Sequence, residues 1–127
     1  MELRVMTTIH VYDKDIDDIV ESAFSDSVLW SGYCGGYKKD KNNHDYIGKY
    51  IANGGTFILT DPEEDDAPYE LNREVILRGI ETFFEMNGGY FAVEDISWVQ
   101  DGRLNMMDSW IADCIIQCGI FGDVIYG

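Results

Sequence analysis

Thr56-Phe57-Ile58-Leu59-Thr60, then Asp61-Pro62-Glu63-Glu64-Asp65-Asp66, then Tyr69-Glu70-Leu71-Asn72-Arg73, is the stretch on which the fold of this chain turns. Thr56 to Thr60 reads as the clearest strand in the sequence, being dense in β-branched and aromatic residues. Asp61 to Asp66 reads as an acidic turn, and Tyr69 to Leu71 as a short extended piece. Asn72 is suited to cap a helix from Arg73 to about Met86, because its side-chain oxygen can accept from a free backbone N–H of the first turn. Val75, Ile76, Ile80, Phe83 and Phe84 form one apolar stripe along that helix, and Asn87-Gly88-Gly89 stops it.

Working outward, Val5 to Val11 alternates as a strand. Asp13 can cap a helix through about Ser25, with Ile16, Ile19, Val20, Ala23 and Phe24 on its buried side. Asp15, Asp17, Asp18 and Glu21 are expected mainly on the exposed side. A short helix spans about Asp45 to Ala52 and ends at Asn53-Gly54-Gly55. Tyr90 to Val93 and Ile96 to Val99 are strand candidates before a turn at Gln100-Asp101-Gly102. Asp108 caps a last helix to about Cys118, with Trp110, Ile111, Cys114 and Ile115 inward. The tail Phe121 to Gly127 is too apolar for a free end, so it should dock on the core or pair in a sheet or dimer. Helices and strands are interspersed without a repeated βαβ unit. The expected fold is α+β, one small domain over residues 1–127 with a mixed or antiparallel sheet and about four helices.

Composition bounds the function. The chain has 127 residues, 46% hydrophobic and 13% aromatic, enough to bury a core. It shows no apolar run long enough for a membrane span and no secretory signal. Three cysteines, Cys34, Cys114 and Cys118, are too few and of the wrong parity for a disulfide framework, which suits a reducing cytoplasm. Twenty-four acidic residues against nine basic ones leave a formal charge of −15. Such a field repels nucleic acid and anionic membranes and speeds encounter with basic surfaces. Direct nucleic-acid binding and membrane binding are therefore not expected.

Chemistry finds little support. His10 and His44 form no ligand pair for zinc. Asp13-x-Asp15-x-Asp17 resembles the start of a calcium loop but has Asp18 at its sixth position and Phe24 at its twelfth. No nucleophile elbow and no phosphate-binding glycine motif occurs, and carboxylates are too abundant for any one pair to indicate a hydrolase. The expectation is a non-enzymatic protein without cofactor or metal. Trp30, Tyr33 and Tyr37, interleaved with Gly32, Gly35 and Gly36, could form an aromatic platform, and Arg73, Arg78 and Arg103 could hold phosphates. Ordinary packing and surface pairing with acids such as Glu70 and Glu74 compete with that reading.

Asp15-Ile16-Asp17-Asp18-Ile19-Val20, Trp30, Tyr46-Ile47-Gly48-Lys49-Tyr50, Gly54-Gly55-Thr56, Ala112-Asp113-Cys114-Ile115-Ile116-Gln117 and Phe121-Gly122-Asp123-Val124-Ile125-Tyr126-Gly127 together resemble small acidic proteins encoded by phages and prophages of Firmicutes. The resemblance spans nearly the whole chain on short motifs, carries no catalytic residues, and departs from the pattern over Tyr33 to Asn43. It implies a phage accessory protein in the bacterial host cytoplasm, of a size that often counters host immunity. Two mechanisms follow. In the first, an acidic surface mimics nucleic acid and occupies the basic surface of a host defence protein, as many anti-CRISPR proteins do, with Asp61, Glu63, Glu64, Asp65 and Asp66 as binding residues. In the second, an oligomer sequesters a nucleotide immune signal of cyclic ADP-ribose or cyclic oligonucleotide type, as phage sponges that block Thoeris signalling do. Trp30, Tyr33 and Tyr37 would then stack the base while Arg73, Arg78 and Arg103 hold phosphates. Charge favours the first; the apolar tail, as a homodimer interface, favours the second.

Overall fold

A computed structural model describes residues 9–25, 47–65, 67–86, 99–100, 103–104 and 109–126. Four helices run through them: α1 (Asp13–Ser25), α2 (Ile47–Ala52), α3 (Arg73–Met86) and α4 (Ser109–Phe121). Two antiparallel hairpins accompany them: β1 (Phe57–Asp61) with β2 (Ala67–Leu71), and β3 (Val99–Gln100) with β4 (Arg103–Leu104). This is a small α+β domain. Of the expected strand over Val5 to Val11, only residues 9–11 are described, and His10 alone makes an isolated bridge. Tyr90 to Val93 and residues 96–98 lie outside the described residues, as does Asp108.

Local chemistry sets the helix ends. Tyr12, not Asp13, occupies the position before α1, and its carbonyl accepts from Asp15 N and Ile16 N at 2.9 and 3.3 Å. Asp15 Oδ2 reaches back to accept from Tyr12 N at 2.7 Å, the reciprocal half of a capping box. That task buries Asp15 to 7% exposure, which corrects its expected place on the solvent side. Glu21 is also partly withdrawn, its Oε1 accepting from Gly48 N of α2 at 3.0 Å. α2 ends in paired bonds, Gly54 N to Ile51 O at 3.0 Å and Gly55 N to Tyr50 O at 2.8 Å. Gly54 sits at φ +102, where a side chain is strained, so the glycine ends the helix as expected. Asn72 Oδ1 accepts from Val75 N at 3.0 Å and caps α3.

The core gathers Ile16, Ile19 and Val20 of α1, Ile51 of α2, Phe57 and Leu59 of β1, Leu71 of β2, and Ile76, Ile80 and Phe83 of α3 around α4. α4 packs against α1, α3 and β2, so residues 112 and 114 to 119 are all buried, whichever side of the helix they occupy. A helix touched on several sides shows no single apolar stripe. Trp110 was expected inward; it stands at the first turn of α4, before that surrounding begins, and is 61% exposed. Cys114 and Cys118 are buried and joined in no disulfide among the described residues, in keeping with small core residues. Burial, aided by the charge of Asp123, pushes the Cys118 thiol up to about 11.

Candidate functional site

The β1–β2 hairpin carries the acidic run. Phe57 pairs with Leu71 at its base and Asp61 with Ala67 at its far end. Residues of β1 alternate, Phe57, Leu59 and Asp61 facing in, with Ile58 exposed and Thr60 between. Asp61 is fully buried. Its Oδ1 accepts from Glu63 N at 3.0 Å and so caps a short 3₁₀ turn over Pro62–Glu64. Its Oδ2 accepts from the Tyr126 hydroxyl at 2.7 Å. Asp65 closes the turn in the left-handed region at φ 55, a conformation that aspartate tolerates better than most residues. Glu63, Glu64 and Asp65 are left exposed at the tip.

Asp61, expected among the binding residues of the acidic surface, is instead the buried anchor beneath that surface. A buried carboxylate is costly unless hydrogen-bonded, and both of its oxygens are bonded here. The signal was present in the sequence. Asp61 lies two residues past Leu59 and four past Phe57, in the inward phase of the strand, directly before Pro62. Asp66 lies outside the described residues.

The segment after α4 reaches this anchor. Gln117 of α4 is fully buried, and its Oε1 accepts from Ile125 N at 3.0 Å and Tyr126 N at 2.8 Å. Its Nε2 donates to Asp113 Oδ2 at 2.9 Å and to Tyr126 O at 3.0 Å. The amide thus uses both donors and both lone pairs of its oxygen, all that the group possesses. The Tyr126 ring meets Phe121 edge-on at 6.0 Å, and Phe121 meets Tyr69 of β2 edge-on at 5.1 Å. The tail docks on the core, one of the outcomes expected of it. The hydrogen bond to Asp61 is the main reason that Tyr126 is pushed up to about 12, followed by burial and then by the charges of Asp61, Glu64 and Glu63.

Among the described residues of the nucleotide reading, Arg73 and Arg78 each bond to separate groups within the chain. Arg73 pairs with Asp13 and donates to Ala52 O at 3.1 Å, tying the start of α3 to α1 and α2. Arg78 donates Nε and one terminal nitrogen to Gly119 O at 3.3 and 3.0 Å, satisfying a carbonyl near the end of α4. Arg103 belongs to β4, paired by register with Gln100. Trp30, Tyr33 and Tyr37 lie outside the described residues.

Several residues in the short motifs 15–20, 46–50, 54–56 and 112–117 hold the fold together. Gly48 lies so close to α1 that an added Cβ would meet Asp17 Oδ1 at 2.2 Å. Gly55 lies under the Tyr50 ring, where a Cβ would come within 2.5 Å. Ile16, Ile19 and Val20 are core, and Gln117 holds the tail. Compared with known proteins, the chain matches no family model, no curated protein and no solved structure.

Proposed function

We propose that this protein works by binding, presenting the carboxylates of Glu63, Glu64 and Asp65 on a fixed hairpin tip to a basic surface of a protein partner. The observation that carries the reading is the division of labour within one acidic run. Asp61 is buried and bonded on both oxygens, while the next three carboxylates project into water. A tip ordered before contact loses less entropy on binding than a floppy acidic loop would. The surrounding charge of −15 steers basic partners toward it over several ångströms.

The exposed carboxylates suit a basic surface, and in this proposal it is one that ordinarily holds phosphate. With the phage-like motifs as context, the reading becomes a non-enzymatic inhibitor that occupies the nucleic-acid surface of a bacterial defence protein. That context rests on the motifs alone. The nucleotide-sponge reading gains nothing from Arg73 and Arg78, which are engaged within the chain.

The test is titration of the purified protein against a panel of CRISPR effectors and other defence nucleases, with a Glu63→Lys/Glu64→Lys/Asp65→Lys variant alongside. Stoichiometric inhibition that weakens with salt and disappears in the variant is expected. Inhibition left intact by the triple reversal would overturn the assignment of the tip.

A further inference from the structure

We propose that residues 122–126 form a strap that positions the acidic tip, with Asp61 as the joint through which the two communicate. The functional half of this proposal rests on the binding role given to the tip above; the structural half does not.

Asp61 has two carboxylate oxygens, and each is matched to one named donor. One donor is Glu63 N of the tip, at 3.0 Å, and the other is the hydroxyl of Tyr126, at 2.7 Å. The carboxylate is fully buried, so neither bond can be exchanged for water without moving the side chain. Take away the hydroxyl and Oδ2 becomes a buried acceptor with no donor. The side chain then relieves itself by turning toward solvent, which withdraws the acceptor from Glu63 N. Strap docking and tip order are therefore one coupled equilibrium, and coupling of this kind runs in both directions.

The strap is also placed to hold both legs of the hairpin. Tyr126 bonds Asp61 at the end of β1, while the edge-on stack of Tyr126 on Phe121, and of Phe121 on Tyr69, reaches β2. Gln117 fixes the strap's backbone at Ile125 and Tyr126 without itself touching the hairpin in any hydrogen bond described above. Tyr126 and Asp61 are thus positioning residues. They act on a partner only through the conformation of Glu63, Glu64 and Asp65.

The experiment is site-resolved amide hydrogen exchange on the full chain, comparing wild type with Tyr126→Phe and Gln117→Met. The amides of Glu63 and Glu64 report on the tip, and those of Ile19 and Val20 in α1 serve as the reference. Loss of the hydroxyl should speed exchange at Glu63 by about tenfold, the effect of one net hydrogen bond. The α1 amides should change much less. Gln117→Met should loosen the tip in the same direction from a site outside the hairpin, and it stands alone if Tyr126→Phe fails to fold. Tip amides unmoved in both variants, or tip and α1 accelerated alike, would overturn the strap. Binding of an oligolysine peptide completes the test. Wild-type binding several-fold tighter than Tyr126→Phe supports the positioning role, and equal affinity with a loosened tip overturns it. A loosened tip in a protein whose wild type never binds the peptide would leave the strap standing and remove the acidic-binder reading instead.

Discussion

Tyr126 keeps its phenolic proton to about 12 because the hydroxyl donates to Asp61 and because Asp61, Glu64 and Glu63 oppose a second negative charge beside them. In the unfolded chain the same group titrates near 10. The folded state therefore holds its proton more tightly, and the contribution of this bond is complete below about 10 and fades as pH rises through about 12. Tyr126→Phe removes the group and with it that share of the alkaline loss. Denaturant midpoints measured from pH 9 upward should converge for wild type and variant as pH approaches 12. Parallel curves would mean that Tyr126 does not donate to Asp61. Gln117 admits a plainer test, since its amide satisfies three backbone groups of the strap and Asp113. Gln117→Leu should lower unfolding free energy by about 1–3 kcal/mol, because it strands polar groups rather than merely deleting one bond. Urea unfolding measures this directly.

Between elements, the contacts that matter most are made at glycine. An added Cβ at Gly79 of α3 would meet Ile115 O at 2.1 Å, and one at Gly119 of α4 would meet Val75 O at 2.2 Å. The two helices thus approach backbone to backbone, each through the other's missing side chain. Glycine to alanine inside a helix ordinarily gains about 1 kcal/mol from propensity. Here the sign reverses, because backbone carbonyls cannot step aside as a flexible side chain can. Gly79→Ala and Gly119→Ala should each destabilise by about 2 kcal/mol or more. Gly54→Ala meets nothing within 4 Å and should cost only the strain of φ +102, about 1–2 kcal/mol. A melting series on the three variants checks both the order and the sign. These contacts also show why the elements could be read from the sequence and their joints could not. The apolar period of α3, its Asn72 cap and the glycine stop of α2 are local signals, and each was found where expected. Trp110, Asp15 and Asp61 were misplaced because their surroundings come from distant chain or from a cap. Periodicity tells which residues share a face, not what covers it. For Asp61 the period of β1 gave the right answer, and the density of neighbouring charge obscured it.

At the scale of the whole molecule, salt should act with opposite signs on folding and on binding. Among the described residues, the exposed acids include Asp13 and Asp18 on α1, Glu63, Glu64 and Asp65 at the tip, Glu74, Glu81 and Glu85 on α3, and Asp123 beyond α4. They repel one another across the surface, and the net charge of −15 leaves few cations to offset them. The Lys14–Asp18 pair at 2.9 Å is exposed and contributes little. Added salt shortens the screening length to about 8 Å near physiological strength, which relieves this repulsion and stabilises the fold. The buried contacts of Asp61 and Gln117 are scarcely screened and should not weaken in parallel. A rise in Tm of several degrees is expected between roughly 10 mM and 150 mM NaCl, the response to about 1 kcal/mol in a chain of this size. Affinity for a basic partner should fall over the same range, because there the screened interaction is attractive. Charge reversal at the tip separates the two effects. Glu63→Lys/Glu64→Lys brings the net charge toward zero, so the variant should melt higher than wild type at low salt while binding a basic surface less. Loss of binding in a protein that has become more stable cannot be assigned to unfolding. A reversal variant that melts lower and binds equally well would show that the acidity of this chain serves neither its fold nor its partner in the way argued.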